Sequence, residues 1–135
     1  MRLTPAQIEV QNLPLTRTLA AQTGLSFAVL VGSRATGTAH LDSDWDVAVQ
    51  WSRHLAGIEK LQATEQLRQA LRNAIGVRED QIDLIDLADA RLTMRVLVAE
   101  EGISLHMSDD LAWVRYLQNT WAELEDNQWR QQHAA

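Results

Sequence analysis

Two aspartates two residues apart, Asp44 and Asp46, open an apolar stretch, and a Gly32-Ser33 pair closes the apolar run Phe27-Ala28-Val29-Leu30-Val31 before them. Ten residues separate Ser33 from Asp44. Side chains two apart in a β-strand project to the same side, so the spacing sets both carboxylates side by side on one face of a strand. Two like charges that close repel, and each raises the other's pKa. A cation relieves that cost. Hard oxygen ligands suit magnesium, which is commonly held by one or two carboxylates together with substrate phosphates. The Gly-Ser turn adds backbone N–H groups and a hydroxyl at the same end of the sheet, the parts needed to hold a triphosphate.

The elements that position these residues follow from pattern. Thr4-Pro5 suits an N-cap with proline at the first helical position, opening a helix to Gln22 whose stripe includes Ile8, Leu15 and Leu19. Pro14 is expected to break or kink it, and Gly24 to close it. A strand then covers Ser26 to Val31, and the small-residue loop Ser33 to Ser43 leads to a second strand, Trp45 to Trp51. On that strand Trp45, Val47, Val49 and Trp51 form an apolar face, with Asp46, Ala48 and Gln50 opposite. Ser52 caps a helix from His54 to Ile75, striped by Ile58, Leu61, Leu67, Leu71 and Ile75 and ended by Gly76. The run Gln81-Ile82-Asp83-Leu84-Ile85-Asp86-Leu87 reads as a buried strand in which Asp83 interrupts apolar residues. A buried charge there needs a partner or a metal. Asp86, nearer the exit, is the rival, with a turn or capping role as its plain expectation.

Asp89 caps a helix from Ala90 to Glu101 that buries Leu92, Val96 and Leu97, with Gly102 after it. Ile103 to Met107 is a short edge strand, and Ser108 or Asp109 caps a last helix to about Gln131. Its Trp113, Tyr116, Leu117, Trp121 and Leu124 make one apolar stripe, expected as core, with a partner surface as the minor alternative. The order predicts an α/β (α+β) fold, a small mixed sheet flanked by helices, in a single domain spanning 1–135.

Totals narrow the class. At 135 residues, 46% hydrophobic and 22% charged, the chain is of globular composition. No apolar run approaches the ~20 residues of a membrane span, and the N-terminus lacks the apolar core of a secretory signal. With no cysteine there is no disulfide and no thiolate metal site, and a cytoplasmic protein is expected. A formal net charge of −6 argues against nucleic acid as the main partner and permits a basic protein partner. Lys60 is the only lysine, and the arginines are spread along the chain without a cluster.

Gly32-Ser33, Gly37 and Ser43-Asp44-Trp45-Asp46 resemble the G-S-x10-D-x-D signature of the polymerase β-like nucleotidyltransferases, most of all the minimal nucleotidyltransferase (MNT) antitoxins that pair with HEPN-domain toxins. The resemblance implies Asp44, Asp46 and Asp83 as catalytic metal ligands for two magnesium ions, with Asp83 a possible base. It implies Gly32, Ser33, Arg34 and Ser43 as nucleotide contacts and ATP as donor. Family members often carry a second arginine where Thr36 stands here, which leaves Arg34 as the phosphate contact in the loop. The implied function is transfer of AMP to a hydroxyl, a tyrosine, of a cognate HEPN ribonuclease toxin, which neutralises it. Two alternatives stand beside it: an antitoxin that acts by binding and occlusion, and an aminoglycoside-type small-molecule nucleotidyltransferase.

Overall fold

A computed structural model describes residues 5–134, with side chains described from Asn12 onward. Four strands form one sheet in the order β3-β2-β1-β4, with β1 Leu25–Val31, β2 Trp45–Trp51, β3 Ile82–Asp86 and β4 Ile103–Met107. β1 pairs antiparallel with both β2 and β4, while β2 and β3 run parallel. The expected mixed sheet is borne out, and β4 lies at an edge as its brevity suggested. Every residue of β1 is buried, as a central strand covered on both faces requires.

Helices cover both faces. Leu15 and Leu19 of α1 (Pro5–Ala20) and Leu67 and Leu71 of α3 (Gly57–Ile75) pack on Trp45, Val47, Val49 and Trp51 of β2. On the opposite face α4 (Leu92–Glu101) and α5 (Asp110–Gln132) lay Val98 and Tyr116 against Phe27, Val29, Val31 and Ala48. The face expected to be the core is therefore one of two. Phe27 meets Trp113 edge-on at 5.0 Å and Tyr116 at 5.5 Å, which fixes α5 to the sheet. Gly102 lets α4 turn tightly into β4, because a Cβ there would run into Val29 and the Val98 carbonyl.

Several expectations change. Pro14 does not break α1: the helix runs through it, since burial of Leu15 and Leu19 at 0% exposure outweighs one lost backbone hydrogen bond. The Thr4 cap and the Ile8 side chain lie outside the described residues. Gly24 sits at φ +83° in the connecting turn rather than directly after the helix. Ser52 does not cap α3. Its hydroxyl accepts the His54 N–H (3.3 Å) in a separate turn, and α3 begins at Gly57. Ile58 and Leu61, assigned to the buried stripe, are 73% and 64% exposed because no element covers that turn. In α4 the buried residue is Val98, and Leu92, Val96 and Leu97 are only half-buried. The residue before that helix is Arg91, not Asp89. Asp109 caps α5, accepting the Ala112 N–H at 3.1 Å. Along α5 only Tyr116 of the expected stripe is fully buried, joined by the unpredicted Thr120, and Trp129 is exposed. Among the described residues no helix is long and apolar enough to cross a membrane.

Candidate functional site

The site is built where β1 ends. Val31, its last residue, pairs with Asp46 on β2, and Asp46 in turn pairs with Asp83 on β3. One row across the sheet thus sets two carboxylates on adjacent strands. Ala48 and Ile85, each two residues further along, pack on the α4–α5 side, so Asp46 and Asp83 belong to that same face. Asp44 lies in the loop just before β2, exposed, and not within the strand as alternation alone implied. Even so, its charge reaches Asp46. Burial pushes the Asp46 carboxyl above its usual value, and Asp83 and then Asp44 push it further.

Gly32 follows Val31 at φ +77° and ψ −158°, a conformation open essentially only to glycine. A Cβ at this position would collide with the Asp46 carboxylate and lie 3.3 Å from its Cγ. Glycine therefore does two things here. It takes a backbone angle other residues refuse, and it lets a carboxylate rest against the turn. Ser33 begins the single-turn helix α2 (Ser33–Thr36). The Ala35 and Thr36 amides donate to the Gly32 carbonyl at 3.0 and 3.1 Å, and no side chain caps the helix start. Gly37 closes α2 at φ +80°.

Arg34, expected as a phosphate contact, is buried and bonded to its own loop. It is 3% exposed. Its Nε donates to the Ser43 carbonyl (3.1 Å) and its Nη2 to the carbonyls of Ser43 (2.7 Å) and Leu41 (3.1 Å). Its guanidinium lies 3.9 Å over the Trp45 ring. Burial lowers its pKa from the usual value, and Asp44 opposes that. The arginine thus clamps the 33–43 loop and sets where Asp44 emerges. Trp45, read from the sequence as core alone, is the platform for that clamp, and no local signal marked it. Ser43 also serves the loop, its hydroxyl accepting the His40 N–H at 2.8 Å. Arg34→Ala is expected to destabilise the fold by about 2 kcal/mol, since it strands part-buried carbonyls and removes a buried guanidinium from Trp45. Arg34→Lys is expected to recover less than half of that, because an ammonium cannot fork between two carbonyls. Chemical denaturation of the two variants checks both values.

Asp86 has another task. It pairs with Lys60 at 2.6 Å and accepts the Ala88 N–H at 3.0 Å, closing the turn after β3. Its register partner is Val49, three steps from Asp46. Among the described residues no three acidic or histidine side chains form a ready metal cage by themselves.

A family model described as "Polymerase beta, Nucleotidyltransferase" matches residues 14–111. The chain also resembles solved structures. A toxin–antitoxin crystal structure with AMP-PNP is 24% identical, with 90% of this chain and 92% of that one covered at a TM-score of 0.69. The tri-AMPylated Shewanella oneidensis HEPN toxin in complex with MNT antitoxin is 20% identical, with 93% and 92% covered at a TM-score of 0.66. A third, also from Shewanella oneidensis, is 18% identical over 92% of each chain at a TM-score of 0.65. No curated protein matches. At these identities the likeness is one of fold.

Proposed function

The chain belongs to the polymerase β nucleotidyltransferase family, and on that premise we propose that it is an antitoxin that moves AMP from ATP to a hydroxyl, a tyrosine, of a HEPN-type toxin. The observation that carries this reading is the register row that brings Asp46 beside Asp83, with Gly32 opening the space against Asp46. The partner is proposed from likeness: similar folds occur with a HEPN toxin that is tri-AMPylated, and with AMP-PNP. The whole of 1–135 acts as one minimal domain, in the cytoplasm, where ATP is available. Its acidic balance of −6 suits a basic protein acceptor.

The residues fit magnesium. The donors are oxygens only, and the burial and the neighbouring carboxylates that raise the Asp46 carboxyl are a cost that a divalent cation would offset. Asp44, Asp46 and Asp83 would hold two ions, with donor phosphates completing the coordination that the side chains leave open. When bound, magnesium neutralises charge on the triphosphate and lowers the pKa of an attacking hydroxyl. The chain's own work is positioning. Asp83 stands at the sheet edge, where an acceptor hydroxyl could approach and lose its proton. Gly32 and the α2 start offer backbone N–H groups to phosphate, and Arg34 holds the loop through Ser43.

Intact-protein mass spectrometry tests the proposal. The chain is incubated with magnesium, each nucleoside triphosphate and the protein encoded beside it. The expected result is one or more AMP units on the partner from ATP, lost with Asp44→Ala. A neutralised partner with no added mass would replace transfer with occlusion.

A further inference from the structure

The second end of the sheet holds a cavity that the reading above does not use. It measures about 370 Å³ and lies between the end of β2, the turn after it, and the α4–α5 pair. Gln50 lines it, four residues along β2 from Asp46, which puts the two places about 13 Å apart at the usual strand rise. The fold gathers cations here that the sequence scatters. Arg53, Arg95 and Arg115 come from three elements into the cavity's lining, in a chain whose net charge is −6. Asp109 is the one carboxylate in the lining, and it is engaged by the Ala112 N–H at the start of α5.

A lining residue carries a buried N–H donor without a partner. The Arg95 Nε–H is inaccessible to solvent and makes no hydrogen bond. Leaving a buried donor unpaired is costly, so an acceptor within reach is favoured. Arg95 is itself held in place. Its Nη2 pairs with Glu123 at 2.5 Å, and its carbonyl accepts the Tyr116 hydroxyl at 2.6 Å. Burial pushes the Tyr116 phenol up to about 12, so that hydroxyl keeps its proton and the anchor at neutral pH. A fixed guanidinium with two more at the rim suits an anion with several oxygens better than a single carboxylate.

We propose that this cavity is a second ligand site, separate from the carboxylate centre, that takes the phosphoryl group of a nucleoside monophosphate or of inorganic phosphate. It is independent of the activity assigned to Asp46.

The test uses the full chain, ¹⁵N-labelled, with chelator present and no magnesium. AMP and inorganic phosphate are titrated separately and followed by NMR. The expected result is saturable shifts at the Arg95 Nε–H and at the Tyr116 and Thr120 amides. Affinity should fall about tenfold or more in Arg53→Glu/Arg115→Glu, whose exposed side chains can change without loss of fold. AMP alone binding assigns a nucleotide, and equal binding of both assigns phosphate itself. Either outcome sustains the site. Shifts confined to Gly32, Ser33 and Asp46, no shifts at millimolar ligand, or an unchanged affinity in the double variant would overturn it.

Discussion

Asp46→Asn abolishes transfer, by on the order of 10³-fold or more, and at the same time makes the metal-free chain harder to melt. Both effects come from one cause. The carboxylate is held where burial, Asp83 and Asp44 all disfavour its charge, so its folded pKa lies above its unfolded one. A carboxyl raised in this way contributes its full stability below the unfolded pKa, about pH 4, and loses it as pH rises through the folded value. Wild type without metal should therefore weaken from about pH 4 upward, and the asparagine variant should lack that component. Thermal melts across pH in chelator measure it. Added magnesium should restore wild type where the Asp46 carboxyl is ionised and do little for the variant. Equal pH profiles in the two proteins would remove the claim that these carboxylates crowd one another.

Gly32→Ala should be costly in both fold and reaction. A Cβ at φ +77° and ψ −158° is strained by about 1–3 kcal/mol, and here it also meets the Asp46 side chain. The carboxylate must move, and a displacement near 1 Å in a positioned site costs on the order of 10²-fold in rate. Gly37 provides the comparison. It too has positive φ, +80°, but a Cβ there meets nothing within 4 Å. Gly37→Ala should cost about 1–2 kcal/mol of stability and leave transfer near wild type at temperatures where the chain is folded. Denaturation curves beside single-turnover transfer separate the two. Similar activity losses at Gly32 and Gly37 would mean that loop strain, and not the approach to Asp46, governs the site.

What could be read in the sequence was local. The bounds of β2 and the glycine-serine turn depend on neighbours a few residues away, and they stand where pattern placed them, whereas of the two aspartates only Asp46 lies on the strand. The preference for Asp83 over Asp86 rests on reading Asp83 as a buried charge in an apolar run, whereas Asp83 is exposed on the edge strand. Its physical basis, register with Asp46 and the Lys60 pair that occupies Asp86, lies across the sheet and has no local mark. Ile58 and Leu61 show the limit of periodicity: a stripe says which side of a helix could be buried, while the reach of the covering element decides whether it is. Arg34 shows another. A basic residue in a glycine-rich loop reads the same whether it faces phosphate or closes the loop on itself, and only the carbonyls of Leu41 and Ser43 decide. The arginines lining the far cavity were invisible for the same reason, since Arg53, Arg95 and Arg115 are distant in the chain.

The edge position of β3 means that the Asp46–Asp83 pair and the fold need not share one stability. The strand has five residues and a sheet partner on one side only, whereas β1 and β2 have seven each and partners on both. Peeling β3 away takes Asp83 from Asp46 and withdraws Ile82 and Leu84 from one hydrophobic cluster and Ile85 from the other, while β1 and β2 keep their pairing. Such partial openings lie well below the global unfolding energy in most proteins. Hydrogen exchange in mild denaturant is expected to show the β3 amides opening before those of β1 and β2, which would part Asp83 from Asp46 ahead of global unfolding.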